Sequence, residues 1–301
     1  MSESSAEHIP VLAEEVLRWL DPQPGQVFVD GTLGGGGHAL AIAQRLLPAG
    51  KLIGLDLDPA ALAAAGQRLA ELPVHLVHGN FCDLPEILAQ LGISAVHGIL
   101  LDLGMSSLQL ADPDRGFSFS QDGPLDMRFD PSRGEPAWRL VHRLSAKHLA
   151  EVLWKYGEER HSRRIAQAIV AHRQREPIRT TGQLAQIIRS CVPRQPRERI
   201  DPATRTFQAL RIAVNQELAS LQTALHRLPD CLTPGGRLAV ISFHSLEDRL
   251  VKQAFSRDER LHVLTRRPVR PTEMEISQNP RSRSAKLRVA QTRQNRGFQR
   301  G

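Results

Sequence analysis

The chain predicts an α/β fold, a doubly wound parallel sheet interrupted by an all-helical insertion, and three observations carry that reading. Apolar strand-like runs alternate with helical patterns through the first hundred residues, the signature of a parallel sheet. The stretch VFVDGTLGGGGHALAIA, residues 27 to 43, runs from an apolar strand through an acid and a glycine cluster into a helix. After Asp102 the alternation stops and only helical spacing follows, until a strand-like run returns at 237 to 243.

Val11 to Leu20 reads as a helix closed by Asp21-Pro22, with Gly25 leading into the first strand. That strand ends at Asp30 and feeds the glycine cluster, where free N–H groups at a helix start favour an electron-rich ligand. Gly34, Gly36 and Ala39 satisfy the G-x-G-x-x-A pattern of dinucleotide sites, so at this point NAD fits as well as any other nucleotide. The second strand, Lys51 to Leu55, delivers Asp56, whose carboxylate can accept bonds from two ribose hydroxyls. A third strand, VHLVHG, ends in Asn80-Phe81-Cys82-Asp83, and a fourth, HGILLDLG, ends in Asp102.

Ligands of open α/β sheets bind outside the carboxyl ends of the strands, so Asp30, Asp56, Asn80, Phe81 and Asp102 would line one crevice. S-adenosylmethionine suits that crevice better than NAD. Phe81 can flank an adenine, and a sulfonium cation tolerates carboxylates that would repel a pyrophosphate.

Residues 108 to 135 cluster Pro, Asp, Gly and Ser and predict a long loop. Leu149, Val152, Leu153 and Tyr156, then Leu184, Ile187, Ile188 and Cys191, recur at helical spacing. The expected organisation is a first α/β part over 1–109, an inserted helical substrate-recognition domain over 110–205, and a second α/β part over 206–301. The second part opens with one helix carrying Phe207, Leu210, Val214, Leu218, Leu221 and Leu225. A turn at Pro234-Gly235-Gly236 then feeds the strand RLAVISF, with His244, Ser245 and Asp248 at its carboxyl end.

Hydrophobic residues make up 41% of the 301, enough for a sizeable core, and the formal net charge of +7 favours a polyanionic partner. From Ile276 onward there are seven Lys or Arg and no acid, and the insertion adds Arg160, Arg163, Arg164, Arg173, Arg175, Arg194, Arg197 and Arg199. Both stretches are candidate phosphate-binding surfaces. The alternation around Leu287 and Val289 also reads as a strand at a sheet edge.

Cys82, Cys191 and Cys231 lack C-x-x-C spacing, which predicts neither a disulfide framework nor a zinc site and fits a reducing cytoplasm. No secretory signal pattern and no apolar run of membrane-spanning length is expected. Asp112, Asp114, Asp122, Asp126 and Asp130 crowd one loop without calcium-loop spacing, so no metal is expected there and salt bridges to Arg115, Arg128 and Arg133 are.

The segments HIPVL at 8–12, DGTLGGGGH at 30–38, LDLGMSSLQL at 101–110, RGFSF at 115–119, SFHSLEDR at 242–249 and NPRSRSAKLR at 279–288 are long, ordered and span nearly the whole chain. Together they resemble the bacterial MraW (RsmH) family, which methylates N4 of a cytosine in small-subunit ribosomal RNA. The resemblance implies a Rossmann-like, S-adenosylmethionine-dependent methyltransferase domain with an inserted helical domain. It implies cofactor contacts at Gly36, Gly37, His38, Asp56, Phe81, Asp102 and Gln109. Leu108 stands where the family pattern has proline. The implied partner is small-subunit rRNA within an assembled or assembling subunit, in the cytoplasm; whether the chain forms a homodimer stays open.

Cytosine N4 is a poor nucleophile because its lone pair is delocalised into the ring, so an acceptor must hold the amino group. Asp102 is the candidate catalytic residue, although Asp102-Leu103-Gly104-Met105 lacks the Pro-Pro-aromatic motif of other amino-methyltransferases. His38, at a helix start, is read as a cofactor contact, and His244 stays open between a structural and a catalytic role. Phe117, Phe119 and Phe129 are candidate walls for a flipped cytosine, with core packing as the alternative.

Overall fold

Helix and strand alternate from the first described residues, as the apolar periodicity demands. The computed structural model describes residues 10–192 and 201–294. In chain order they form α1 (Ala13–Leu20), β1 (Val27–Asp30), α2 (Gly37–Leu46), β2 (Lys51–Asp56), α3 (Pro59–Arg68), β3 (Val74–His78), α4 (Leu84–Gln90) and β4 (Val96–Asp102). Next come α5 (Ser107–Ala111), α6 (Ala137–Arg143), α7 (Ala146–Gly157), α8 (Ser162–Arg173), α9 (Thr181–Cys191) and α10 (Ala203–Asn215). The chain continues through α11 (Glu217–Arg227), β5 (Leu232–Ser242), α12 (Ser245–Arg257), β6 (Leu261–Val263), α13 (Glu273–Gln278) and β7 (Lys286–Thr292). Two units result: residues up to Ser106 with those from Leu218 onward, and Ser107–Glu217.

In the first unit the sheet order is β3-β2-β1-β4-β5-β7-β6. β1 to β5 run parallel, and β7 is antiparallel to both β5 and β6. The strands are apolar on both faces because both are covered. Val29, Ile53, Leu55, Ile99, Leu101 and Val240 join one core with residues of α4, α11 and α12. Their sequence neighbours Phe28, Leu52, Leu100, Ala239 and Ile241 join the other, with residues of α1, α2 and α3. The order reverses between β1 and β4, and it is at such a switch point, outside the carboxyl ends of the strands, that open α/β sheets bind their ligands.

The second unit is helical. Leu149, Leu153, Ile165, Ile169, Leu184, Ile188, Phe207 and Leu210 are its buried contacts. The acid-rich loop is held by side chains rather than by regular structure. Arg128 clasps the Asp126 carboxylate through two donors at 2.8 and 2.7 Å, Arg133 pairs with Asp130 at 3.6 Å, and Asp122 accepts the Gly182 amide at 2.7 Å. Arg115 donates to the carbonyl oxygens of Arg128 and Phe129.

Three expectations change. The single helix read over Phe207 to Leu225 is two, because Gln216 is left-handed at φ 52° and ends α10. Asn215 accepts the Phe129 amide (2.7 Å) and donates to the Met127 carbonyl (2.7 Å), which ties α10 to the helical unit. That unit therefore runs from 107 to 217 where 110 to 205 was expected. An apolar period carries straight through the break because α10 buries its stripe in the helical unit and α11 buries its own against the sheet.

The basic tail is the second change. Its strand β7 lies inside the sheet, not at its edge, with the short β6 outside it. Arg288 is buried, with its Nε 2.7 Å from Asp248 Oδ1, and Lys286 Nζ lies 3.1 Å from Asp248 Oδ2. Burial alone would raise the Asp248 carboxyl, but the bonds from Arg288 and Lys286 outweigh it and hold the carboxyl below its ordinary value. These two cations are engaged within the fold and are not a phosphate-binding surface.

Third, Pro234-Gly235-Gly236 does not precede β5 but lies within it, at a register shift against β4. Arg194, Arg197, Arg199 and the tail beyond Gln294 lie outside the described residues. No helix among the described residues is long and apolar enough to cross a membrane.

Candidate active site

β1 delivers Asp30 to the switch point, where one carboxylate oxygen accepts the Thr32 amide at 3.1 Å. The Thr32 hydroxyl in turn accepts the Asp102 amide at 2.6 Å, so the end of β4 is fastened to the turn that leaves β1. Gly34 and Gly36 take φ of 51° and 76°, values open to glycine at little cost. This geometry aims the Gly34 amide at Asp56 Oδ2 (2.7 Å), while Asp56 Oδ1 accepts the Asp58 amide (2.8 Å).

Asp56 thus organises the glycine turn from the end of β2. A carboxylate has about four lone-pair directions, so these amides do not exhaust its capacity to accept a ribose hydroxyl. Burial raises its carboxyl, against the opposing effect of the Asp58, Gly34 and Leu57 amides. Gly36 packs against Ala65 and Gly37 against Pro10, so both can meet a ligand only through the backbone.

Phe81 opens a short helical turn, Phe81–Asp83, capped by the Asn80 side chain, which accepts the Cys82 amide at 3.1 Å. A Cβ on Gly31 would lie 3.0 Å from Phe81 Cβ and 2.6 Å from Leu101, so glycine there lets Phe81 approach the end of β1, where it packs partly buried against the sheet core. His38 is buried in the first turn of α2, with Nε2 3.6 Å from Asp102 Oδ2. Gln109, the remaining expected contact, lies on α5 in the helical unit and is buried there, next to a half-exposed Leu108.

The electrostatics of these strand ends are unusual. Asp30 is 1% exposed, and burial followed by repulsion from Asp56 raises its carboxyl from the ordinary 3.8 to about 7 despite the Thr32 amide. Burial also lifts Asp102 well above the carboxylate range, with further repulsion from Asp30 and Glu247. Among the described residues neither Asp30 nor Asp102 has a lysine or arginine partner, and the buried Asp102 Oδ1 has no hydrogen-bond partner. Such a cluster favours a cationic ligand and resists a pyrophosphate. The residues therefore fit S-adenosylmethionine: Asp56 is an acid that could take the ribose, Phe81 a ring that could flank the adenine, and the carboxyls of Asp30 and Asp102 suit a sulfonium.

Glu247 escaped the sequence reading. Its Oε2 accepts the Phe243 and His244 amides at 2.8 and 3.3 Å, while His244 Nδ1 accepts the Glu247 amide at 3.3 Å. This is a capping box at the start of α12 with histidine in the usual Ser or Thr position, and that substitution hides the signal. The aromatic candidates are packed within the helical unit. Phe117 is buried and stacks on Phe129 at 5.5 Å, and Phe119 meets the edge of Phe207 at 4.7 Å. Among the described residues no group of three or more His, Cys, Asp or Glu could hold a metal.

Comparison with known proteins identifies the family. The sequence model of the MraW methylase family matches residues 5–293. Ribosomal RNA small subunit methyltransferase H of Thermomicrobium roseum is 52% identical over 307 residues, covering 95% of this chain and 94% of the relative. The protein of that name from Pelobacter propionicus is 50% identical, covering 95% and 98%. Among solved structures, an rRNA methylase from Streptococcus thermophilus aligns over 94% of each chain at 12% identity and a TM-score of 0.43. With the family match spanning nearly its full length and relatives at half identity, the chain belongs to the MraW methylase family.

Proposed function

We propose that this protein transfers a methyl group from S-adenosylmethionine to N4 of a cytidine in small-subunit ribosomal RNA. The observation that carries the reading is Asp102, a carboxyl at the switch point that has, among the described residues, one buried oxygen unbonded and no lysine or arginine to neutralise it. The names of the half-identical relatives point to the same RNA. When bound, S-adenosylmethionine supplies an electrophilic methyl group on a cationic sulfur.

The chain's own residues do the rest. Asp56 would hold the ribose, the backbone of Gly36 and Gly37 would line the turn beneath the ligand, and His38 would steady Asp102 from the helix start. Gln109 is assigned to the cofactor by the family pattern. A cation beside Asp102 opposes the effects that keep it protonated, so Asp102 Oδ1 can accept N4–H and draw off the proton as N4 forms its new bond.

The cytosine must be out of any base pair, and the helical unit, expected to recognise substrate, is suited to holding single-stranded RNA. Arg160, Arg163, Arg164 and Arg175 are exposed on it, and Trp154 is 61% exposed, a ring available for stacking. The expected substrate is the RNA within an assembling or assembled small subunit, which places the reaction in the cytoplasm.

The test offers labelled cofactor with free small-subunit RNA, assembly intermediates and whole subunits, followed by nucleoside identification. N4-methylcytidine is the expected product, and label in another nucleoside would overturn the assignment. In the same assay Asp102→Ala should lower the single-turnover rate more than cofactor affinity. A rate restored by saturating cofactor would reduce Asp102 to a cofactor contact.

A further inference from the structure

We infer that His244 reads the substrate base, its Nε2–H donating to cytosine N3 while Asp102 Oδ1 accepts from N4. The proposal rests on the N4-methylation reading above and adds to it the source of discrimination between cytosine and uracil.

The tautomer of His244 follows from its hydrogen bonds. Nδ1 accepts the Glu247 amide, so in the neutral ring the proton sits on Nε2. Nε2 is buried and makes no hydrogen bond among the described residues; Glu247 Oε1 is 3.2 Å away but outside hydrogen-bond geometry. A buried donor held off the axis of its nearest oxygen leaves part of the cost of leaving water uncompensated, a cost that a well-aligned ligand acceptor would remove. With Nε2 already protonated, this histidine is placed to donate and not to act as a base.

Its location matches. Asp102 pairs with Ile241 across β4 and β5, three residues before His244. Glu247, which touches the His244 ring, is also near enough to raise the Asp102 carboxyl by repulsion. Adjacent strand ends of one unit therefore hold one unmade acceptor, Asp102 Oδ1, and one unmade donor, His244 Nε2.

Cytosine presents the complement in adjacent positions, an amino donor at N4 and an acceptor at N3. Uracil presents the reverse, an acceptor at position 4 and N3–H, so both contacts would fail together. A site built on paired polar contacts rejects the mismatched ligand far more strongly than an apolar pocket does.

The experiment uses the RNA that the wild-type protein methylates, rebuilt by ligation with cytidine, uridine or 3-deazacytidine at the labelled position. 3-Deazacytidine keeps N4 and replaces N3 by C–H. Affinity is measured with S-adenosylhomocysteine present, without turnover. Wild type should bind the 3-deaza RNA about tenfold more weakly than the cytidine RNA, equivalent to about 1.4 kcal/mol.

Two variants separate base reading from helix capping. His244→Asn keeps a good N-cap with too short a side chain to reach the base, and should bind cytidine and 3-deaza RNA equally. His244→Gln extends an amide donor toward the lost Nε2 and should recover part of the preference. Equal affinity of wild type for the two RNAs overturns the role of His244, and so does a 3-deaza penalty that persists in His244→Asn. Failure of the wild-type protein to form N4-methylcytidine would instead remove the underlying reading, and it shows before any variant is made.

Discussion

Asp30 gives the site a pH signature. The unfolded chain releases this proton near 3.8 and the folded one near 7, so between those values the native state binds more protons. Stability must then fall as pH rises through that window, by up to about 4 kcal/mol for the ligand-free protein. Asp30→Asn keeps the acceptor for the Thr32 amide and removes the titration. Urea unfolding at pH 5 and pH 8 should show the variant losing less stability than wild type, and parallel profiles would refute the assignment. Asp56→Ala should weaken S-adenosylmethionine binding by about 2 to 4 kcal/mol, since two charge-assisted bonds to the ribose disappear. It should also lower the melting temperature, because the Gly34 and Asp58 amides lose their acceptor. Calorimetry and thermal melting on one sample check both effects, and unchanged affinity would remove Asp56 from the site. Asp30, Asp56 and Asp102 were legible in the sequence because an acid ending an apolar run has few other reasons to recur strand after strand. Glu247 was not, because its role depends on His244 acting as a cap, a job that composition assigns to Ser or Thr.

At the level of elements, β1, β2 and β4 were legible because strands buried on both faces leave largely apolar runs. β6 was not: three residues beside a neighbour carry no period. The single long helix failed because Gln216 turns left-handed without disturbing the apolar stripe on either side. β7 was visible as an alternation, but its place inside the sheet depends on pairing with β5, and local sequence holds no record of a partner so distant. The ion pairs of Asp248 with Arg288 and Lys286 belong to that placement. Arg288→Ala leaves a largely buried carboxylate short of its closest cation and should cost about 3 kcal/mol in urea unfolding. A loss under about 0.5 kcal/mol, typical of surface positions, would contradict it.

Across the whole molecule the net charge of +7 is unevenly committed: Lys286 and Arg288 serve the fold, while Arg160, Arg163, Arg164 and Arg175 stay exposed on the helical unit. Neutralising those four arginines should weaken RNA binding and flatten the fall of log affinity with log salt by roughly 0.7 to 0.9 for each phosphate that no longer meets a cation. Cofactor affinity should not change, and an unaltered salt slope would exclude this face from RNA binding. The position of β7 also bears on how the protein is made. Ser242 at the end of β5 and Lys286 at the start of β7 are 44 residues apart, so translation at about 5 to 20 residues per second separates them by roughly 2 to 9 s. Throughout that interval β5 has no antiparallel neighbour, and a nascent chain still on the ribosome presents an apolar strand edge to whatever lies near the exit.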